Sequence, residues 1–335
     1  RRPPRSTPSN SSAASDVYKR QPTEVVRAIR DSGLRACISL AVSDFKEGKH
    51  TPSLKTEEAL RKTEEFVKKY HLVDKGRITI KLSPVGLPAV TLKLLREMRK
   101  LAGKYKVGLH LHACEGEEQT RISFKRFNKS EIEVLFETGN LGADVQLAHT
   151  IWISKEDLEL LTQTETNVVQ CPSSNIKLAD GVTPIAAMQA VGVNIALGCD
   201  GAASSSSYDL LLEGRIASLQ QKLKENDVAT ASPAEIIKML TENGVKATGI
   251  SKLGKLKPGW KADITFVNIA QLHIFSPDEV ALLANLVFSA TGKDVAMTVV
   301  DGEVLYRDGQ FTRFSEKEIF EKGKKFLKSK ENSIK

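Results

Sequence analysis

From Pro22 onward the chain alternates short apolar runs with longer amphipathic stretches, and this alternation restricts it to a few folds. The apolar runs, at 34–42, 78–82, 107–113, 145–152, 167–171 and 193–199, read as strands. The stretches at 56–70, 89–105, 130–138, 154–163, 183–191 and 208–224 read as helices. Their starts carry suitable chemistry. Ser154 followed by Asp157 is a variant of the capping box, and Ser232-Pro233-Ala234-Glu235 puts a cap, a first-turn proline and an N3 glutamate in order. Strands alternating with helices give βαβ units and a parallel sheet, so the chain is α/β. Six such units suit an open doubly wound sheet or a (β/α)8 barrel. No GxGxxG follows the first strand, which weighs against the dinucleotide-binding version of the former. The polar residues gather where strands end, at His112 and Glu115, His149, Asn175 and Asp200, as they do in barrels.

After residue 232 the pattern shifts. A helix at 233–243 precedes 253–268 (LGKLKPGWKADITFVN) and a strand pair within 295–309, where Asp301-Gly302 is a hairpin signal. The expected division is an unstructured head at 1–21, an α/β body at 22–250, part of a small β domain at 251–314, and a Lys-rich terminal helix or tail at 315–335. The head is rich in Ser, Pro and Arg with almost nothing apolar, so it cannot bury enough surface to order itself, and it reads as non-native.

Composition excludes several classes. With 41% hydrophobic and 27% charged residues, the chain is globular. No apolar run approaches the roughly 18 residues of a membrane span, and no signal peptide is visible. Four cysteines without CxxC spacing fit a reduced, cytoplasmic setting. The net charge of +8 sits mostly at the two ends, +4 in residues 1–21 and +3 in 316–335, leaving +1 between them. A nearly neutral body argues against a nucleic-acid partner.

Of six histidines, His50, His71 and His273 stand alone in polar or linking segments and read as structural. His110 and His112 share one face of a strand, with Glu115 three residues beyond. Packing alone explains that group poorly, although His110 lies one pleat deeper and suits a supporting role. His149 comes late in another strand. Asp200 closes a third, where a buried carboxylate is costly unless it is paired or bound to a metal; the lesser alternative is a helix cap or Asx turn before Ser204–Ser207. Histidine and carboxylate donors on neighbouring strands match the ligand chemistry of catalytic zinc.

The blocks LHLHACEGEE (109–118), LAHTIW (147–152), CPSSNIKLADGVTPI (171–185), ALGCDGAASSSSYDLLLEGR (196–215) and LGKLKPGWKADITFVN (253–268) resemble the amidohydrolase superfamily. The similarity is to the branch with methylthioadenosine/S-adenosylhomocysteine, 8-oxoguanine and guanine deaminases and atrazine chlorohydrolase, and it covers about 22 to 310. The resemblance implies a metal-dependent hydrolase (β/α)8 TIM barrel with a small composite β domain, and one Zn²⁺ per site, sometimes Fe²⁺. It implies that His112 and Asp200 ligate the metal and that a metal-bound hydroxide attacks the substrate. Glu115 shuttles the proton, His149 orients the water or polarises the reacting carbon, and Asp200 takes the water's proton. Asn175 reads as a loop-shaping residue.

Two departures qualify this. The family carries an HxH pair on strand 1, and none precedes His110 here; the first methionine is Met98. Strands 3–8 are visible, strands 1 and 2 are expected to be missing, and the chain reads as N-terminally truncated. Second, Val85 stands in SPVGLP (83–88) where related deaminases often place a histidine, which argues against adenosine-type recognition. Lys81 invites comparison with the modified strand-4 lysine of binuclear relatives, but its surrounding motif differs. The leading expectation is hydrolytic deamination of a purine-type or related small heterocyclic substrate, with release of ammonia. The alternatives are a chlorohydrolase or N-dealkylating hydrolase on a triazine-like ring, or a catalytically inactive fragment. Open sheet edges would favour homo-oligomers.

Overall fold

The computed structural model describes residues 21–45 and 53–334. The expectations for residues 1–20 and for His50 lie outside the described residues. Gln21, assigned above to the head, instead opens a helix, α1 (Gln21–Ser32).

Six strands form one sheet: β1 (Ala36–Val42), β2 (Ile78–Pro84), β3 (Leu109–Ala113), β4 (Val145–His149), β5 (Asn167–Gln170) and β6 (Ile195–Leu197). All are parallel and lie in sequence order. A doubly wound sheet reverses direction at a switch point; this one does not, so right-handed crossovers bring the intervening helices to a single face. Those helices are α2 (Thr56–Tyr70), α3 (Leu92–Tyr105), α4 (Glu117–Phe127), α5 (Glu131–Glu137), α6 (Lys155–Gln163), α7 (Pro172–Leu178) and α8 (Ile185–Ala190). After β6 come α9 (Ala202–Ser205), α10 (Leu210–Glu225), α11 (Pro233–Leu240) and α12 (Glu242–Thr248). No described helix is long and apolar enough to cross a membrane.

Register explains the core. Leu109 pairs with Val145 and Leu111 with Leu147, while Leu147 pairs with Val168 and Val168 with Ile195. These side chains share one face and are fully or almost fully buried, together with Leu94, Leu95 and Met98 of α3. Paired positions on the opposite face carry Lys81, His110, His112, Gln146 and Asn167.

Several helices differ from the expected spans. The helix expected at 89–105 is preceded by a separate 3₁₀ turn, Leu87–Ala89, and begins at Leu92 behind Thr91, whose hydroxyl accepts from the Leu94 N–H. The helix expected at 233–243 breaks at Thr241, which leaves helical geometry at φ −125° and ψ −92°. The 173–175 segment, expected to close a strand, lies in α7, because Pro172 sets the first helical turn. α4 lacks an apolar stripe and buries only Ser123, so periodicity does not reveal it.

The second sheet is antiparallel, ordered β10 (Gln310–Phe311), β9 (Glu303–Arg307), β8 (Val295–Val300), β7 (Ile264–Val267). The Asp301-Gly302 turn joins β8 to β9 with φ of 54° and 82°, the two positive values a type I′ hairpin needs. α13 (Glu279–Phe288) precedes this hairpin, and α14 (Glu316–Ile334) follows the sheet. One arginine ties the sheet to the body. Arg35 Nε lies 2.6 Å from Asp263 Oδ2, and Nη2 lies 3.0 Å from Asp263 Oδ1 and 2.9 Å from Asp301 Oδ1. Burial raises the Asp263 pKa, but the Arg35 fork and the Asp301 N–H together outweigh it and hold the carboxyl below its ordinary value.

Candidate active site

The structure brings His112, Glu115 and His149 together at the C-terminal ends of β3 and β4, with Asp200 just after β6. The His112 and His149 rings stack with centroids 5.6 Å apart and planes at 23°. His149 Nε2 lies 3.6 Å from Glu115 Oε1, and both side chains are buried. Asp200 lies near enough, with Glu115, to raise the His112 pKa, although burial and His149 dominate and lower it overall.

Simple alternation would not place His149 here. Its register partner is Ala113, whose face carries Leu109 and Leu111, while His112 points to the opposite side. The backbone resolves the conflict. His149 and Thr150 adopt left-handed conformations, φ 71° and 50°, which turn the ring out of the strand's alternation and onto His112. Cys114 (φ 51°) and Asp200 (φ 57°) do the same at the ends of their own strands. Left-handed residues also occur elsewhere in the chain, so at the site their importance lies in where they aim the side chains.

Each functional group is held by an identifiable neighbour. The Val85 carbonyl accepts from both the His112 N–H and Nδ1, each at 2.9 Å. A carbonyl can only accept, so Nδ1 carries the hydrogen and the His112 Nε2 lone pair is free to bind. The preceding backbone approaches so closely that a Cβ on Gly86 would lie 2.9 Å from the His112 carbonyl oxygen, so glycine is required there. Gln119 donates to Glu115 Oε2 at 3.2 Å. The Ser174 hydroxyl donates to Asp200 Oδ2 and the Gly201 N–H to Oδ1, both at 2.6 Å. The Gly201 contact is to the adjacent N–H, so Asp200 makes neither an Asx turn, which would take the N–H two residues on, nor a cap of the helix after it. Asn175 does more than shape a loop: its Oδ1 lies 2.8 Å from His149 Nδ1.

His110 belongs to a supporting chain. Lys81 Nζ donates to Gln146 Oε1 at 3.1 Å, and Gln146 Nε2 donates to His110 Nδ1 at 2.7 Å. Burial, then the neighbouring His112, Lys81 and His149, push the His110 pKa down to about 3, so its imidazole is neutral. Lys81 also donates to the Ala247 carbonyl at 2.5 Å and lies over Gly108, toward the N-terminal end of the sheet and away from His112. His71 accepts from the Ile80 N–H at 3.1 Å, and His273 pairs with Asp294 at 3.1 Å, so both serve structure.

The donor chemistry fits a metal ion in kind, with a histidine whose Nε2 is free and oriented and a fixed carboxylate. It falls short in number. No group of three His, Cys, Asp or Glu able to hold a metal occurs among the described residues, whereas a catalytic zinc takes about three protein ligands.

The layout is that of a hydrolase built on the ends of parallel strands, and the chain belongs to the amidohydrolase family, whose profile matches residues 9–305. It is 33% identical over 305 residues to a 5-methylthioadenosine/S-adenosylhomocysteine deaminase of Pyrococcus furiosus, covering 91% of this chain and 70% of the relative. It is 33% identical over 302 residues to a 5'-deoxyadenosine deaminase of Methanosarcina mazei, covering 90% and 68%. Among solved structures, an adenosine deaminase of Xanthomonas campestris crystallised with zinc superposes with a TM-score of 0.84 at 23% identity, over 91% of this chain and 68% of that one.

Proposed function

We propose that this site hydrolytically deaminates a purine-type heterocycle: water replaces an amino group on a ring carbon, and ammonia leaves. The observation that carries this reading is the juxtaposition of the buried Glu115 carboxylate with the bare His149 Nε2 at 3.6 Å, in a family whose relatives at 33% identity are deaminases. We assign the six parallel strands to strands 3–8 of a (β/α)8 barrel, with residues 22–250 as its body, 251–314 as part of the small β domain and 315–335 as a terminal helix or tail.

His112 and Asp200 would contribute to holding the metal, zinc in preference to Fe²⁺. When bound, the ion supplies Lewis acidity and lowers the pKa of water. The chain's own residues supply the proton handling. Asp200, fixed by Ser174 and Gly201, takes a proton from the attacking water. His149 orients that water toward the reacting carbon. Glu115, held at Oε2 by Gln119, offers Oε1 to carry a proton to the ring nitrogen and then to the leaving amine. One water and one amine are consumed, and one carbonyl-type product and one ammonia result.

Because two donors hold zinc weakly, the test uses the full chain with zinc in excess. The relatives named for adenosine-type substrates outweigh the expectation drawn from Val85, so 5'-deoxyadenosine should release ammonia and lose its adenine absorbance, with no chloride released from a chlorotriazine. Chloride without ammonia would transfer the assignment to the triazine reading, and neither product would overturn both.

A further inference from the structure

We propose that Asn175 and Thr183 are positioning residues that hold His149 as its Nδ1–H tautomer, leaving a bare Nε2 to accept a hydrogen from the attacking water. The proposal rests on the deaminase reading for its consequence, but its structural part stands separately.

The hydrogens run around a closed loop. The Thr183 hydroxyl donates to the His149 carbonyl at 2.9 Å, which uses its one hydrogen. Thr183 therefore offers Asn175 only a lone pair, and Asn175 Nδ2, 3.4 Å away, is the donor. That fixes the direction of the amide, so Oδ1 faces His149 Nδ1 at 2.8 Å. An amide oxygen only accepts, so Nδ1 carries the hydrogen. A neutral imidazole has one N–H, which leaves Nε2 bare, and Nε2 is the atom with no partner among the described residues. Asn175 and Thr183 are fully buried and His149 is 1% exposed, so bulk water cannot scramble the arrangement.

The loop also braces the left-handed backbone of His149, because Thr183 bonds that residue's own carbonyl. Between His149 Nε2 and Glu115 Oε1, 3.6 Å apart, two acceptors face one another. A molecule with two hydrogens, such as water, satisfies both at once. The adjacent His110 provides an internal contrast: its Nδ1 accepts from Gln146, so its hydrogen sits on Nε2.

The test reads the tautomers directly, by long-range proton–nitrogen correlation on the full chain with ¹⁵N-labelled histidine, the His149 signals being assigned by their loss in His149→Gln. His149 should appear as the Nδ1–H form and His110 as the Nε2–H form. Asn175→Leu should convert His149 to the Nε2–H form, and Thr183→Val, which lets the amide turn, should give a mixture. Asn175→Asp keeps an acceptor oxygen and should keep Nδ1 protonated. With zinc in excess, Asn175→Leu should lower kcat by about 10²–10⁴-fold with little change in KM, and Asn175→Asp should recover most of that loss. An Nε2–H tautomer in the parent chain, or no change in Asn175→Leu with its melting curve preserved, overturns the proposal. A converted tautomer with unaltered kcat overturns its catalytic part. Correct tautomers without ammonia release count against the deaminase reading alone.

Discussion

Along β3 and β4 the sheet carries Leu109, Leu111, Val145 and Leu147 on one side and His110, His112 and Gln146 on the other. The first side is sealed under helices and holds the molecule together through apolar burial. The second is a chain of polar groups whose members satisfy one another, from Lys81 through Gln146 to His110. Polar side chains on a sheet face give up the packing that bulky apolar residues would supply there. His149 is the exception to the contrast. It lies in register with the apolar face and reaches the polar one only through its left-handed backbone.

Substitutions can break this comparison. The largest effect on stability belongs to the apolar face. Leu147→Ala should cost about 2–5 kcal/mol by urea unfolding, because the fully buried site cannot collapse around the void. On the polar face, Gln146→Leu should cost less, about 1–3 kcal/mol, by leaving Lys81 and His110 each short of a partner. Equal costs at the two positions would remove the distinction. Lys81→Met is the sharper case. Lys81 is 4% exposed, and it donates to the neutral Gln146 amide and the Ala247 carbonyl. Burial lowers its pKa, but Met would leave the Gln146 oxygen and the Ala247 carbonyl without their donor, so the substitution should cost about 1–3 kcal/mol, as at Gln146. A larger loss would show that the Asp144 charge compensates the buried ammonium.

A smaller effect concerns Glu131, behind the apolar face at the start of α5. Burial is the main cause pushing its pKa up from 4.5 to about 8, with Glu115 and Asp157 adding to it and the Cys114 N–H opposing it. The folded state therefore prefers the protonated acid. Its stabilising contribution is complete below pH 4.5 and is lost as pH rises toward about 8. Glu131→Gln should flatten that decline in melting temperature; an unchanged profile would refute the assignment. Smallest of all, Gly302→Ala at φ 82° should cost about 1 kcal/mol without affecting the site.

Much of this was legible in the residues. Strand–helix alternation exposed all six strands, because each buries one face against helices and so reads as an apolar run. Asp301-Gly302 announced its hairpin, because few residue pairs tolerate two positive φ values. Helix α4 was not legible, having almost nothing to bury, nor was the break at Thr241. At the site, His112, Glu115, His149 and Asp200 could be named from strand-end positions. Their supports could not. Val85 acts through a backbone carbonyl that any residue would supply, and Thr183 reaches His149 from 34 residues away. Asn175 was visible, but its role depends on which atom of the amide faces the ring, and only Thr183 decides that.

At the heart of this reading, Glu115 carries the proton and His149 orients the water in the site of a deaminase. Ammonia release from 5'-deoxyadenosine, measured side by side for the parent chain and Glu115→Gln with zinc in excess, tests it most directly. The account predicts ammonia from the parent chain and a loss of at least about 10²-fold in Glu115→Gln at unchanged zinc binding and melting temperature. Equal rates in the two proteins, or no ammonia from the zinc-loaded parent, would contradict it.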